Sequence, residues 1–157
     1  MNERRAARTI RIAAALIDDR AGRLLLVRKA GARRFMLAGG KIEPGEAPLD
    51  ALLRELDEEI GLTLSDEDAR YVGRFSAPAA NEPDHIVDAE IFHVRASHLP
   101  QPRAEIEAAV WVDHVEAAAM PLAPLVRDHI LPLARTLCAE YEPLVASLSK
   151  RGRSLSR

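Results

Sequence analysis

Residues 47–60, APLDALLRELDEEI, limit the fold of this chain more than any other stretch. Leu49, Leu52, Leu53, Leu56 and Ile60 recur at helical spacing, which predicts a helix over about 47–60. Pro48 suits the first turn, where its missing N–H costs nothing. Gly61 stands just past the end, where helices often close in the left-handed conformation, and Leu62 can fold back onto the last turn. No Ser, Thr, Asp or Asn occupies the expected N-cap. Leu49, Leu52, Leu56 and Ile60 share one face, which must be covered by another layer of structure. Glu55, Glu58 and Glu59, at i, i+3 and i+4, share a second face. Upstream, Pro44-Gly45 predicts a type II turn that delivers the chain onto the helix.

The covering layer is legible on both sides. Ile10, Ile12, Ala14 and Leu16 alternate as in a strand, residues 18–22 read as a turn, and Leu24-Leu25-Leu26-Val27 completes a hairpin. Lys29 to Arg34 reads as a polar loop before the short apolar patch Phe35-Met36-Leu37. Downstream, after the polar turn 65–68, strands are expected at 71–75, 88–94 and 110–112, with a loop over 78–84. From 121 to 148 the pattern is helical, broken or kinked at Pro132. Hairpin, helix, strands and helix in that order indicate a mixed α/β or α+β sandwich. The length of 157 residues suits one domain, with an ordered core expected over about 9–148 and a flexible basic tail over 149–157.

Composition removes several function classes. With 48% apolar and 29% charged residues the chain is not a disordered or low-complexity protein. Lys plus Arg is 22 and Asp plus Glu is 24, so there is no global field for nucleic acid or an anionic membrane. Cys138 alone excludes an intrachain disulfide and a cysteine-rich zinc site. The apolar run 12–17 is far too short to span a bilayer. A cytoplasmic protein of a reducing interior is expected.

Clustered carboxylates repel one another, and Arg54 is the only nearby cation on the helix. Arg54 stands four residues before Glu58 and is placed to hold that carboxylate in a fixed rotamer. A helix does not gain from such a face on its own account, although a Glu-rich face is more often merely solvated. Hard divalent ions resolve the repulsion, since Mg²⁺ takes oxygen ligands from one or two carboxylates plus substrate phosphates. The lack of a Cys or His cluster argues against zinc. Glu46, at the mouth of the helix, is favoured there by the helix dipole.

Residues 40–62, GKIEPGEAPLDALLRELDEEIGL, resemble the signature of the Nudix hydrolases. Gly40, Glu46, Arg54, Glu55, Leu56, Glu58, Glu59, Gly61 and Leu62 meet it without a mismatch. At ordinary residue frequencies a chance match is on the order of one in a million. The resemblance implies the α/β/α sandwich with a mixed sheet and hydrolysis of a nucleoside diphosphate linked to another group, assisted by Mg²⁺ or Mn²⁺. It also implies Glu55 and Glu59 as metal ligands with Glu58 as ligand or base, Arg54 as their orienting partner, and a backbone carbonyl of Gly39 or Gly40 on the metal. A further carboxylate before the Trp111 strand is implied, with Glu105 the better match and Glu107 second. Glu58 is the expected general base, with Glu105 the alternative. The residues before the box read Leu37-Ala38-Gly39-Gly40, where the family often has proline at the second position.

Around the leading glycines, Arg34, Phe35 and Lys41 are the candidate substrate-binding side chains. For Arg33 and Arg34 the competing reading is a solvated loop. Phe35 and Phe75 lie where a nucleobase could stack, Trp111 reads as a core anchor, and His85, His93, His98, His114 and His129 have no ligand spacing. The expected partner is a small nucleoside diphosphate derivative, with neither a stable nucleic-acid partner nor a membrane; a homodimer is left open. Two alternatives stand beside this reading. One is a hydrolase of a non-nucleotide diphosphate, and the other is a non-catalytic ligand sensor on the same fold.

Overall fold

The computed structural model describes residues 7–97 and 100–139. Six strands, β1 (Arg8–Asp18), β2 (Leu24–Lys29), β3 (Ala38–Lys41), β4 (Ala69–Pro78), β5 (His85–Arg95) and β6 (Ile106–Val112), form one mixed sheet. Among the described residues three α-helices accompany it: α1 (Pro48–Ile60), α2 (His114–Ala118) and α3 (Leu131–Ala139). The sheet runs β4-β5-β1-β2-β6, with β3 also on β1. β1 lies parallel to β5 along its whole length. Its other edge is shared: Asp18 pairs with Leu24 of β2 beside the turn, and residues 12–15 pair antiparallel with 41–38 of β3. The expected hairpin therefore exists at its turn but splays beyond it, because β3 takes over the edge of β1.

Alternation along β1 and β2 fills two cores. Ala14, Leu16, Leu24 and Leu26 point to one face, where Val126, Ile130 and Ala134 cover them. Ala13, Ala15, Ile17, Leu25 and Val27 point to the other, under Ala51, Leu52, Leu56 and Ile60 of α1. A strand covered on both faces reads as an unbroken apolar run, which is why Leu24-Leu25-Leu26-Val27 does not alternate. The layers are helix, sheet, helix, as expected.

α1 begins one residue inside the expected start and has no side-chain cap. At its end Gly61 adopts φ 66°, and the Leu62 amide bonds back to the Leu56 carbonyl at 3.2 Å. Leu62 joins the core beneath α1, as the cap reading anticipated.

The C-terminal region departs from expectation. Residues 121–123 are not helical: they run beside Phe35, whose amide donates to the Pro121 carbonyl and whose carbonyl accepts from Ala123, each at 2.8 Å. A π-helical turn, Val126–Ile130, then precedes α3. Pro132 has no N–H to donate and its ring crowds the carbonyl four residues back, so a widened turn directly before it accommodates the missing α bond. The helix is thus reshaped rather than broken; residues 140–148 and the basic tail lie outside the described residues. The short α2 was not expected, although Asp113 and Glu116 form a capping box that marks its start. Among the described residues no helix is long and apolar enough to cross a membrane.

Candidate active site

The approach to α1 is a clamped loop. Gly45 at φ 79° and the Glu46 amide bonded to the Glu43 carbonyl at 3.0 Å are the expected Pro-Gly turn. Arg54 grips the loop from the helix: Nε and Nη2 donate to the two Glu46 oxygens at 3.0 and 2.8 Å, and Nη2 also reaches the Lys41 carbonyl at 3.2 Å. Nη1 donates to Glu55 at 2.9 Å. The bidentate pair holds the Glu46 carboxyl at about 2, well below its ordinary value, and Glu46 is the main reason the Arg54 guanidinium is pushed further up. Glu58 sits 3.6 Å from Arg54 with its side chain 56% exposed. The expected Arg54–Glu58 pair at i, i+4 is thus present, but longer than the bonds that Arg54 makes to Glu46 and Glu55.

Glu59 is the buried member of the acidic face, 5% exposed, with the Gly39 amide donating to it at 3.2 Å. Burial first, then the charges of Glu55 and Glu105, push its carboxyl up to about 7, against the lowering pull of the Gly39 amide and Lys29. Gly40 makes room for the neighbouring carboxylate, since a Cβ there would lie 2.3 Å from the carboxyl carbon of Glu55. At Gly39 a Cβ would meet the Ala13 carbonyl oxygen at 2.2 Å. The two glycines thus seat β3 against β1 and beneath the glutamates of α1.

Glu105 is brought to the same place by the segment that covers the end of α1. The amides of Gln101 and Arg103 bond the Ile60 and Glu59 carbonyls at 3.1 and 2.8 Å, which satisfies terminal acceptors of the helix. Lys29 lies 3.8 Å from Glu105, whose carbonyl accepts from the Ala30 amide at 2.8 Å. Glu107 turns instead to Arg28 at 3.2 Å. Lys29 was missed in the sequence reading. The register slips here, with Arg28 opposite Ala108 but Lys29 opposite Ile106, so that Lys29 stands next to the Glu105 segment, a feature that composition and periodicity do not signal.

Among the described residues no three carboxylate, imidazole or thiol groups stand together at metal-ligand spacing, as Glu55 leans on Arg54 and Glu59 on Gly39. The donor chemistry nonetheless fits a hard divalent cation: all donors are oxygen, and the buried Glu59 accepts from the Gly39 amide and has like charges beside it.

A cleft of about 130 Å³ opens on the face of β1 away from α1, with Gly39 and Gly40 in its lining. Its walls are apolar, from Ile10, Ile12 and Ala14 of β1, Val87 of β5 and Leu125 and Val126 near α3. Lys29 and the Gly39–Lys41 backbone lie at one rim and the loop 78–82 at another. Of the three candidate substrate-binding side chains, Lys41 is among the residues that line the cleft. Arg34 and Phe35 are not. Arg34 borders a separate depression with Arg33 and Arg127, and Phe35 is held in backbone pairing with residues 121–123 and lies under the Arg28 guanidinium. Phe75 packs against His129, with ring centroids 5.5 Å apart, and Trp111 is packed at the edge of the α1-side core. His93 is buried and bonds Asp18; His98 lies outside the described residues.

The NUDIX domain family model matches residues 8–134. The CTP pyrophosphohydrolase of Escherichia coli is 36% identical over 124 residues, spanning 73% of this chain and 84% of that protein. The solution structure of the E. coli ORF135 protein superposes with a TM-score of 0.60 at 30% identity, covering 84% of this chain and 90% of the other. A bifunctional NMN adenylyltransferase/ADP ribose pyrophosphatase from Francisella tularensis, solved with AMP and a Mn ion, has a TM-score of 0.65 at 17% identity. It covers 83% of this chain but 42% of its own, and at that identity the likeness is one of fold. With the box, the mixed sandwich and these relatives together, the chain belongs to the Nudix family and is a Nudix-type hydrolase.

Proposed function

We propose that this chain is a magnesium-dependent pyrophosphohydrolase of nucleotides, cleaving a phosphoanhydride in a nucleoside diphosphate derivative. The observation that carries the reading is the buried Glu59, near the charges of Glu55 and Glu105 and bonded to the amide of Gly39, a residue that lines a cleft presenting two lysines. The comparison with a CTP pyrophosphohydrolase supports a small nucleotide as substrate. Glu55, Glu59 and the Gly40 carbonyl would hold Mg²⁺, with Mn²⁺ a substitute and Glu58 a further ligand where it does not serve as the base. When bound, the ion neutralises phosphate oxygens and lowers the pKa of a bound water.

The remaining work falls to the chain itself. Arg54 keeps Glu55 directed and fixes the loop that carries Gly40 and Lys41. Lys29 and Lys41, at the cleft, pair with phosphate oxygens of the substrate. Glu58, the most exposed of the helix glutamates and not tightly held by Arg54, is free to accept the proton of the attacking water. Glu105, 70% exposed beside Lys29, is the alternative base.

The test is a screen of nucleoside triphosphates, dinucleotides, nucleotide sugars and non-nucleotide diphosphates with saturating Mg²⁺, identifying the released group. Expected are turnover of a nucleotide and a fall in kcat of about a hundredfold or more for Glu58→Gln, with a smaller effect of Glu105→Gln. Near-normal turnover by the Glu58 variant would transfer the base role to Glu105. Faster turnover of a non-nucleotide diphosphate than of any nucleotide would replace the substrate class.

A further inference from the structure

The cleft has two chemically different sides. β3 lies on one edge of β1 and β5 on the other, so the Gly39–Lys41 rim and the β4–β5 loop face each other across β1. The first side is cationic, with Lys29 and Lys41; Lys29 lies 3.8 Å from Glu105, and Gly40 abuts the carboxyl of Glu55. On the second side Asn81 and Glu82 are, apart from the lysines, the only polar side chains that line the cleft among the described residues. Among the described residues everything else that lines it is apolar or glycine, with no aromatic ring.

The loop that carries Asn81 and Glu82 is held in place. The Ala79 amide donates to the His85 carbonyl at 2.9 Å, and the Arg8 amide to that of Asp84 at 3.1 Å. His85 Nδ1 donates to the Pro83 carbonyl at 2.7 Å, and its Nε2 lies 4.0 Å from Glu82.

We infer that Asn81 and Glu82 determine base specificity, selecting nucleotides whose base carries an exocyclic amine beside an unprotonated ring nitrogen, as cytosine and adenine do. The inference rests on the nucleotide reading above and adds the residues that read the base. An ionised carboxylate only accepts, so Glu82 takes a hydrogen bond from the amine, and the Asn81 amide donates to the ring nitrogen. Uracil presents a carbonyl and a ring N–H at those positions, which sets oxygen against oxygen at Glu82. The apolar walls accept any base face, and among the described residues that line the cleft discrimination is left to these two side chains.

CTP and UTP differ at those two positions alone and are the matched probes. For the wild-type chain with Mg²⁺, kcat/KM for CTP is expected to exceed that for UTP by roughly ten- to a hundredfold, and Glu82→Gln should bring the two within about threefold. The narrowing should come chiefly from a rise with UTP, because a glutamine can turn its N–H₂ towards the uracil carbonyl; a misfolded variant gives no such rise. Asn81→Ala should lower CTP turnover more than UTP turnover. Equal kcat/KM for the two in the wild type, or an unchanged ratio in Glu82→Gln, overturns the inference. If neither CTP nor UTP is cleaved while another nucleotide is, this inference fails and the proposed function stands. If no nucleotide is cleaved, both fail.

Discussion

Gly40 and Glu55 show how little space separates a working site from a displaced one. The carboxyl group of Glu55 occupies the volume that any side chain at position 40 needs, so Gly40→Ala has to push that group aside. The far end of a flexible side chain yields easily, and the expected result is a fall in kcat/KM on the order of a hundredfold with little change in Tm. Gly39→Ala is the contrasting case. There the obstruction is the backbone of β1, the residue has φ 152°, and its amide is the donor to Glu59. Its cost is expected in stability, about 3 kcal/mol, read as a lower denaturant midpoint. Both glycines were singled out in the sequence as the entry to the box. Which one guards the carboxylate and which one guards the sheet depends on what lies within 3 Å of each, and a sequence does not carry that distance.

At the level of elements, α1 and its loop act as one unit because Arg54 ties them together at both Glu46 oxygens. Glu46 is ionised in the folded chain down to about 2, whereas its ordinary value is 4.5. A carboxyl depressed in this way contributes stability above the unfolded value and loses it as pH falls from about 4.5 towards 2. Denaturant midpoints should therefore drop across that window. Asp88, held low by Arg74, adds to the same decline. Glu46→Gln is expected to lower the midpoint at neutral pH and to flatten the acid slope, since its share of the linkage is gone. An unchanged slope would mean that the Glu46–Arg54 pair does not hold in solution. The element itself was readable from Leu49, Leu52, Leu56, Ile60 and Gly61 because helical periodicity is local. The pairing between Arg54 and Glu46, eight residues apart, was not, because it depends on the turn at Pro44-Gly45 folding the loop back along the helix.

Across the whole molecule the sheet has two functional ends. The cleft lies over the N-terminal half of β1, among Ile10, Ile12 and Ala14, while Asp18 and His93 form a buried pair at the other end of β1 and β5. Burial pushes the Asp18 carboxyl up, but the bond to His93, the Arg20 amide and the charges of His93 and Arg95 outweigh it and hold the carboxyl below its ordinary value. His93→Ala would leave that carboxylate buried without its nearest partner, at a cost of about 3 kcal/mol. In a chain of this size this corresponds to a Tm about 10 °C lower. KM is expected to stay unchanged below the transition, because the pair does not line the cleft. A rise in KM with unaltered Tm would show that the two ends are coupled. In the sequence His93 was one of several scattered histidines, and its partner stands 75 positions away.

The sequence by itself determined the α1 helix and its glycine stop, the apolar runs that become doubly covered strands, and the acidic face of the box, because each follows from spacing within one or two turns or strands. Only the tertiary structure decided which glutamate is buried, that Arg54 braces the loop as well as pairing with Glu58, and that Lys29, Asn81 and Glu82 reach the cleft while Arg34 and Phe35 do not. Those outcomes depend on a bulge, on the sharing of one β1 edge by two strands, and on a widened turn before Pro132. Each arises where distant segments compete for the same space, and that competition leaves no periodic trace in the chain.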